Sequence, residues 1–235
     1  MARTDEGFDV GRTAGRKQDS VDFSTVAAND MLHLSLIAAE LGNASRASYW
    51  KTFGDNTTAA INTLLWDDKA QFYLERFDNG TFNPTLTPSG LLPLLLDIPK
   101  ERAAALVTKL VDTSVFNVSA GLPTTSVSDP AYSNNMWRGG MWLPINYLVI
   151  QGLLAKGLPD LARAVAIKTV DPVGRWYEEL GTIFEFYDAK DVTAPSKTNR
   201  KYCTGCGSTS EYSWSAATAY GLIAQFNLVE ALGTE

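Results

Sequence analysis

The residues with chemistry in them are one carboxylate and one cluster of rings. In "GTIFEFYDAK" an extended backbone puts Ile183, Glu185 and Tyr187 on one face, with Phe184, Phe186 and Asp188 on the other. Glu185 is thereby flanked by aromatic rings that partly desolvate it, and a poised carboxylate is what activation of a water molecule requires. The same residue also fits a solvated charge on a strand edge. In "NNMWRGGMWLPINYLVIQGLL" Trp137, Arg138 and Trp142 crowd onto Gly139 and Gly140, just ahead of an apolar helix. Pro144 suits the first turn of that helix, so Trp142 lies at its N-terminus and Asn146 one turn further in on the same side. Indole faces, a guanidinium fork and a carboxamide suit a polyhydroxylated ligand with apolar C–H faces, and the glycines let backbone approach it closely. Core tryptophans with a structural ion pair fit the same composition. Tyr212 and Trp214, in "EYSWSAA", begin the last helix, where they line a cavity or staple the helix to the core. Tyr73 and Glu75 stand on a hairpin in "FYLERFDNG".

The elements that must position these groups are mostly helices. Residues 1–19 lack periodicity and read as irregular. "VDFSTVAANDMLHLSLIAAELG" reads as a helix with Val26, Leu34, Ile37 and Leu41 in register and Gly42 as its stop. A second helix follows, with Trp50, Phe53, Ile61, Leu64 and Leu65 available to bury. Asn79-Gly80 marks a hairpin turn. Two shorter helices join at Pro99, and a Gly/Pro/Ser/Thr-rich loop leads into the tryptophan stretch. Helices are then expected at 143–156, at 158–180 and over 210–232, "SEYSWSAATAYGLIAQFNLVEAL". Helix pairs with long loops and little strand predict an all-α array in one domain, 1–235. The helix at 143–156 is apolar nearly all round, which predicts protein on every side of it.

Composition narrows the functional classes. The chain has 235 residues, 45% hydrophobic and 20% charged, enough to bury a sizeable core. A net charge of -6 argues against a nucleic-acid partner, and no run of about eighteen apolar residues is present to span a bilayer. The start, "MARTDEGFDV", is too polar for a signal peptide. Cys203 and Cys206 form an isolated CxxC that is either a short-loop disulfide or two free thiols. With His33 the lone histidine, no metal site is expected. Sequons at Asn43, Asn56, Asn79 and Asn117 suggest a secretory route, with any signal segment upstream of Met1.

Taken in order, the motifs resemble one family. "GLPTTSVSDPAY" followed by "MWRGGMWLPINYLVIQGL" is similar to the signature of the mannosyl-oligosaccharide glucosidase and mannosylglycerate hydrolase-like glycosidases, GLP-S/T, then D-P-x-Y, then YWRGPVW-x-PINYLV. "LLWDDKAQFYLERFDNG" resembles their Trp-Asp hairpin, "LTPSGLLPLLLDIP" the following helix entry, and "FEFYDAK…YSWSAA" their closing stretch. The resemblance runs from Val21 to the C-terminus.

It implies an (α/α)6 toroid with the site in a cup of inner-helix loops, and inverting hydrolysis of α-linked glucose or mannose. Glu185 matches the general base. The acid's E-S-G-x-D motif has its nearest equivalent in "DEGFD", which makes Asp9 the candidate acid with altered neighbours. Trp137, Arg138, Gly139, Trp142, Asn146 and Tyr147 match the sugar-site motif, and Tyr187 and Trp214 match positions near the base; Tyr73 joins them as a substrate-site candidate. The implied partner is a sugar or oligosaccharide, with no cofactor. About seven helices are legible against twelve in a closed toroid, so the expectation is an incomplete, C-terminal portion. Two alternatives stay open: an inactive homologue that binds carbohydrate or is structural, and a trehalase-like hydrolase.

Overall fold

The computed structural model describes residues 18–201 and 203–228. Six α-helices carry the described part: α1 (Val21–Glu40), α2 (Ala44–Leu64), α3 (Lys100–Val111), α4 (Leu143–Ala155), α5 (Pro159–Leu180) and α6 (Ser213–Phe226). Two-residue strands decorate the loops: β1 (Gln18–Asp19), β2 (Trp66–Asp67), β3 (Phe72–Tyr73), β4 (Arg76–Phe77), β5 (Gly140–Met141) and β6 (Tyr187–Asp188). Their ladders are antiparallel and two-stranded, pairing β1 with β4, β2 with β3 and β5 with β6.

Helices α1 and α2 form an antiparallel hairpin. Gly42 turns the chain at φ +72°, and the Asn43 side chain caps α2 by accepting from the Arg46 N–H at 3.1 Å. Gly54 allows the pair to close, since a Cβ there would stand 2.9 Å from Leu32 Cδ2. The expected helices are present, but the faces they bury differ from the expected ones. On α1 the buried residues are Val21, Asp22, Thr25, Ala28 and Ala38, whereas Leu34, Ile37 and Leu41 are exposed. At 100° per residue, Ile37 stands about 180° round the helix from Ala28, so one wheel cannot bury both. On α2 the buried line is Gly54, Thr58 and Ile61, continued by Leu65; Phe53 and Leu64 are exposed and Trp50 is half-buried.

Asn79-Gly80 does turn a hairpin: the Phe77 N–H donates to the Thr81 carbonyl at 2.8 Å, and Arg76 bridges Phe82. The run expected as a helix before Pro99 is a 3-10 segment, Pro88–Leu95. Pro93 has no N–H to give an α-helical bond, which favours the tighter, shorter form. Helix α4 lies across this segment, close enough that a Cβ on Gly152 would meet Leu94 Cβ at 2.8 Å. It also packs on α5 and α6, and those two pack on each other.

The main core joins Val21, Ile61, Phe72, Leu91, Phe116 and Leu153. A second cluster (Met141, Leu143, Val173, Trp176, Phe184, Tyr187) and a third (Met136, Trp142, Phe186) underlie the loops at the N-terminal end of α4. Helix α4 is not enclosed on every side. Tyr147 is exposed, and a groove of about 350 Å³ opens between α4 and α6, lined by Pro144, Tyr147, Leu148, Trp214 and Thr218. Among the described residues no helix is long and apolar enough to cross a membrane.

Candidate active site

Trp142 is the anchor of the tryptophan motif. It is buried, stands at the N-cap position of α4, and donates its indole N–H to the Met136 carbonyl at 2.9 Å. Trp137 stacks on one face of it at 4.0 Å and Phe186 on the other at 5.7 Å, with interplanar angles of 14° and 13°. The stack binds the motif to the segment carrying Glu185. The outer ring, Trp137, is half-buried, as is Arg138, whose backbone closes a turn by donating to the Asn135 carbonyl at 2.7 Å.

The glycines admit the protein's own chain. A Cβ on Gly139 would meet the Ser133 carbonyl oxygen at 2.2 Å, and one on Gly140 the Met136 carbonyl oxygen at 2.4 Å. Gly139 also donates its N–H to Thr124 Oγ1 at 3.1 Å. Asn146 is fully buried and its carboxamide is engaged within the protein. Oδ1 accepts from the Leu122 N–H at 2.7 Å and lies 3.1 Å from the Thr169 hydroxyl. Nδ2 donates to the carbonyls of Leu122 and Trp142 at 3.2 and 3.1 Å. It thus ties the loop at Gly121–Leu122 to α4 and α5.

Glu185 is buried, and so is every residue from Phe184 to Ala189, so strand alternation does not sort this run into wet and dry faces. Only β6 within it is strand, with Tyr187 opposite Met141. The Glu185 N–H donates to the Thr209 carbonyl at 2.8 Å and its carbonyl accepts from the Ser215 hydroxyl at 3.1 Å. Its carboxylate forms an ion pair with Arg200, a residue that sequence reasoning passed over. Arg200 also donates to Thr209 Oγ1 at 2.6 Å. The one sequence signal near it is the adjacent CxxC, and Cys203 and Cys206 are a disulfide.

Tyr187 is buried outright. Its hydroxyl accepts from the Phe184 N–H at 3.0 Å, and burial pushes its pKa up to about 12. Tyr132, packed against Gly139, is likewise raised to about 12, by burial first and then by the charge of Asp188. Asp188 is buried too, and its carboxylate accepts from the N–H groups of Lys190, Val192 and Thr193 at 3.1, 3.3 and 3.0 Å.

The remaining candidates are not members of the stack. Tyr147 and Trp214 face each other across the α4–α6 groove. Tyr73 is buried beside Trp66 and Arg102, and donates its hydroxyl to Asn62 Oδ1 at 2.5 Å. Asp9 lies outside the described residues. Among the described residues no group of three or more His, Cys, Asp or Glu side chains is placed to hold a metal ion.

A family model described as the mannosylglycerate hydrolase MGH1-like glycoside hydrolase domain matches residues 2–215. Mannosylglycerate hydrolase MGH1 from Selaginella moellendorffii is 26% identical over 162 residues, 68% of this chain and 32% of that protein. A GH63 mannosylglycerate hydrolase from Thermus thermophilus, solved in complex with glucose, superposes with a TM-score of 0.65 at 22% identity, covering 92% of this chain and 47% of that one. Neutral trehalase Nth1 from Saccharomyces cerevisiae superposes at 0.70 with 14% identity, covering 92% of this chain and 39% of that one. The architecture is that of an incomplete (α/α)6 toroid of helix pairs. The chain spans about a third of the length of the curated relatives it matches.

Proposed function

Because this chain belongs to the mannosylglycerate hydrolase MGH1-like glycoside hydrolase family, we propose that it acts in the inverting hydrolysis of an α-linked glucosyl or mannosyl bond. Glu185 is the general base. It takes a proton from a water molecule on one face of the sugar, while an acid, Asp9 in this reading, protonates the departing oxygen on the other. Inversion requires the two carboxyls roughly 6.5–9.5 Å apart, leaving room for that water. The observation that carries the proposal is the placement of Glu185: a buried carboxylate on a segment stacked directly onto the Trp137–Trp142 motif through Phe186.

Within this reading the burial of Asn146, Tyr187 and Tyr73 makes them scaffold for the cup rather than direct contacts to sugar. Trp137 and Arg138 are the groups offered to the ligand. Substrate identity is to be read from a panel that includes mannosylglycerate and trehalose, on which the similar proteins are named to act. Glu185→Gln is expected to abolish turnover while leaving sugar affinity within about twofold, since the carboxamide keeps the shape and loses the base. Turnover at the wild-type rate would overturn the assignment.

A binding role without hydrolysis is the second reading, supported by the exposed pair Tyr147 and Trp214 across an open groove. Calorimetric titration with glucose, mannose and their disaccharides separates the two, because binding with no hydrolysis in the panel favours it. A secretory route is part of the same proposal: the Cys203–Cys206 disulfide and the exposed Asn56 and Asn79 sequons both suit an oxidising compartment.

A further inference from the structure

The loop carrying Arg200 is bound at both ends of the site and closed in the middle by the disulfide. The Arg200 N–H donates to the Cys203 carbonyl at 3.0 Å, and the Cys203 N–H returns to the Arg200 carbonyl at 2.9 Å. Cys203 is bonded to Cys206, and next to it the Gly205 N–H donates to Asn199 Oδ1 at 2.8 Å. Gly205 and Gly207 turn at φ +72° and +75°, and a Cβ on Gly207 would stand 2.4 Å from the Ser196 carbonyl oxygen, so the return path of the loop is set closely. On one side Asn199 holds the tryptophan motif: its Nδ2 donates to Asn134 Oδ1 at 2.7 Å, and its carbonyl accepts from the Met136 N–H at 3.1 Å. On the other side Ser208 accepts from the Phe186 N–H at 2.8 Å, and Thr209 bonds both Glu185 and Arg200.

The guanidinium is therefore aimed at one oxygen of one carboxylate, by a hydrogen-bonded turn that ends on the cross-linked Cys203. We propose that Arg200 is a positioning residue for Glu185, and that the Cys203–Cys206 disulfide is the latch that keeps it there. Arg200 occupies Oε2 and so presents Oε1 as the oxygen that meets water. The disulfide closes the Cys203–Cys206 turn and so fixes Cys203, the residue on which the hydrogen-bonded Arg200–Cys203 turn is anchored; when it is opened, both turns are held only by hydrogen bonds, and the guanidinium leaves the carboxylate more often. Opening is a two-electron thiol–disulfide exchange in which a dithiol is oxidised to its own disulfide while Cys203 and Cys206 each gain a proton as thiols. The assignment of Glu185 as base rests on the function proposed above, whereas the latch itself is a statement about geometry.

The test reads the carboxylate directly. Folded protein is treated with a water-soluble carbodiimide and glycinamide at fixed pH, with and without dithiothreitol. Fragment-ion mass spectrometry then compares labelling at Glu185 with that at the exposed Glu178 and Glu179 of the same tryptic peptide. Reduction, the Cys203→Ser/Cys206→Ser pair and Arg200→Ala are each expected to raise relative labelling of Glu185 roughly three- to fivefold, the scale of a partly exposed ion pair. Arg200→Lys should return it towards the native level, and dithiothreitol should do nothing further to the Cys pair variant. Unchanged labelling on reduction removes the latch, and unchanged labelling in Arg200→Ala removes the positioning role. A variant that does not fold leaves the native protein with and without dithiothreitol as the deciding pair. In turnover, Arg200→Ala should lower kcat with KM held, and Arg200→Lys should restore part of it. Labelling that rises as expected with no turnover in any form would leave the latch standing and remove the hydrolase reading instead.

Discussion

The α1–α2 hairpin and the segment from Phe184 to Ala189 are built on opposite terms. On the hairpin, large apolar side chains face outward: Leu36, Ile37, Leu41, Tyr49 and Phe53 are all exposed, Leu41 by 78%. In the other region every residue is buried, the charged Glu185 and Asp188 included, and both carboxylates have partners. The hairpin is held by its own two helices and one edge of the core. The Glu185 segment is held by contacts from residues 120, 141, 208, 209 and 215, which lie on four different pieces of chain. A local element tolerates open faces because its hydrogen bonds are internal. A buried irregular segment cannot, because each of its polar groups costs about 1–3 kcal/mol if left without a partner.

That contrast sets the order in which substitutions should hurt. The largest effect on stability is expected at Asn146, the buried carboxamide that joins three elements near the site. Asn146→Ala should cost about 2–4 kcal/mol, read as a fall in the denaturant midpoint at unchanged slope. A loss of only a few tenths would mean that the Leu122 loop is held by other contacts.

The next effect is alkaline and lies within the Phe184–Ala189 segment itself. The folded Tyr187 pKa is raised from 10.0 to about 12, so the unfolded chain releases that proton first. Stability from this group is complete below pH 10, and declines as pH rises from there to about 12. Tyr132 adds to the same decline. Tyr187→Phe should flatten part of the slope of unfolding free energy against pH in this window, with little change at pH 7 beyond the lost hydrogen bond from Phe184. An unaltered slope would assign the decline elsewhere.

The smallest effect is expected on the hairpin. Ile37→Lys, on the exposed face of α1, should change stability by no more than about 0.5 kcal/mol. A loss of about 2 kcal/mol or more in thermal or denaturant melts would show that this face is covered in solution, and would bring the two regions onto the same terms.

Much of the helical framework was legible in the sequence, because helix signals are local. Gly42 and Gly181 end their helices in left-handed turns, and Pro144 and Pro159 begin theirs, where the missing N–H is not needed. The faces were not legible in the same way. Leu34 and Ile37 are as apolar as Val21, and only the position of the 3-10 segment and α2 decides which side of α1 is covered.

The candidate site divides along the same line. Residue types named Glu185, Trp137 and Trp142, because carboxylates and indoles announce their chemistry wherever they stand. Which of the matched residues face a ligand is a separate matter. Asn146 and Tyr187 carry polar groups suited to a sugar, yet the fold spends those groups on Leu122, Thr169, Trp142 and Phe184. Arg200 was invisible for the complementary reason. It lies fifteen residues beyond Glu185 in a polar loop, and no pattern in that stretch specifies a partner. Most of the α-helices and the inventory of reactive groups were legible because both are set within a few residues of chain, whereas the 3-10 form of Pro88–Leu95 was not. Tertiary structure alone decided burial, the Trp137–Trp142–Phe186 stack and the Glu185–Arg200 pair, because those depend on segments that meet only after the chain has packed.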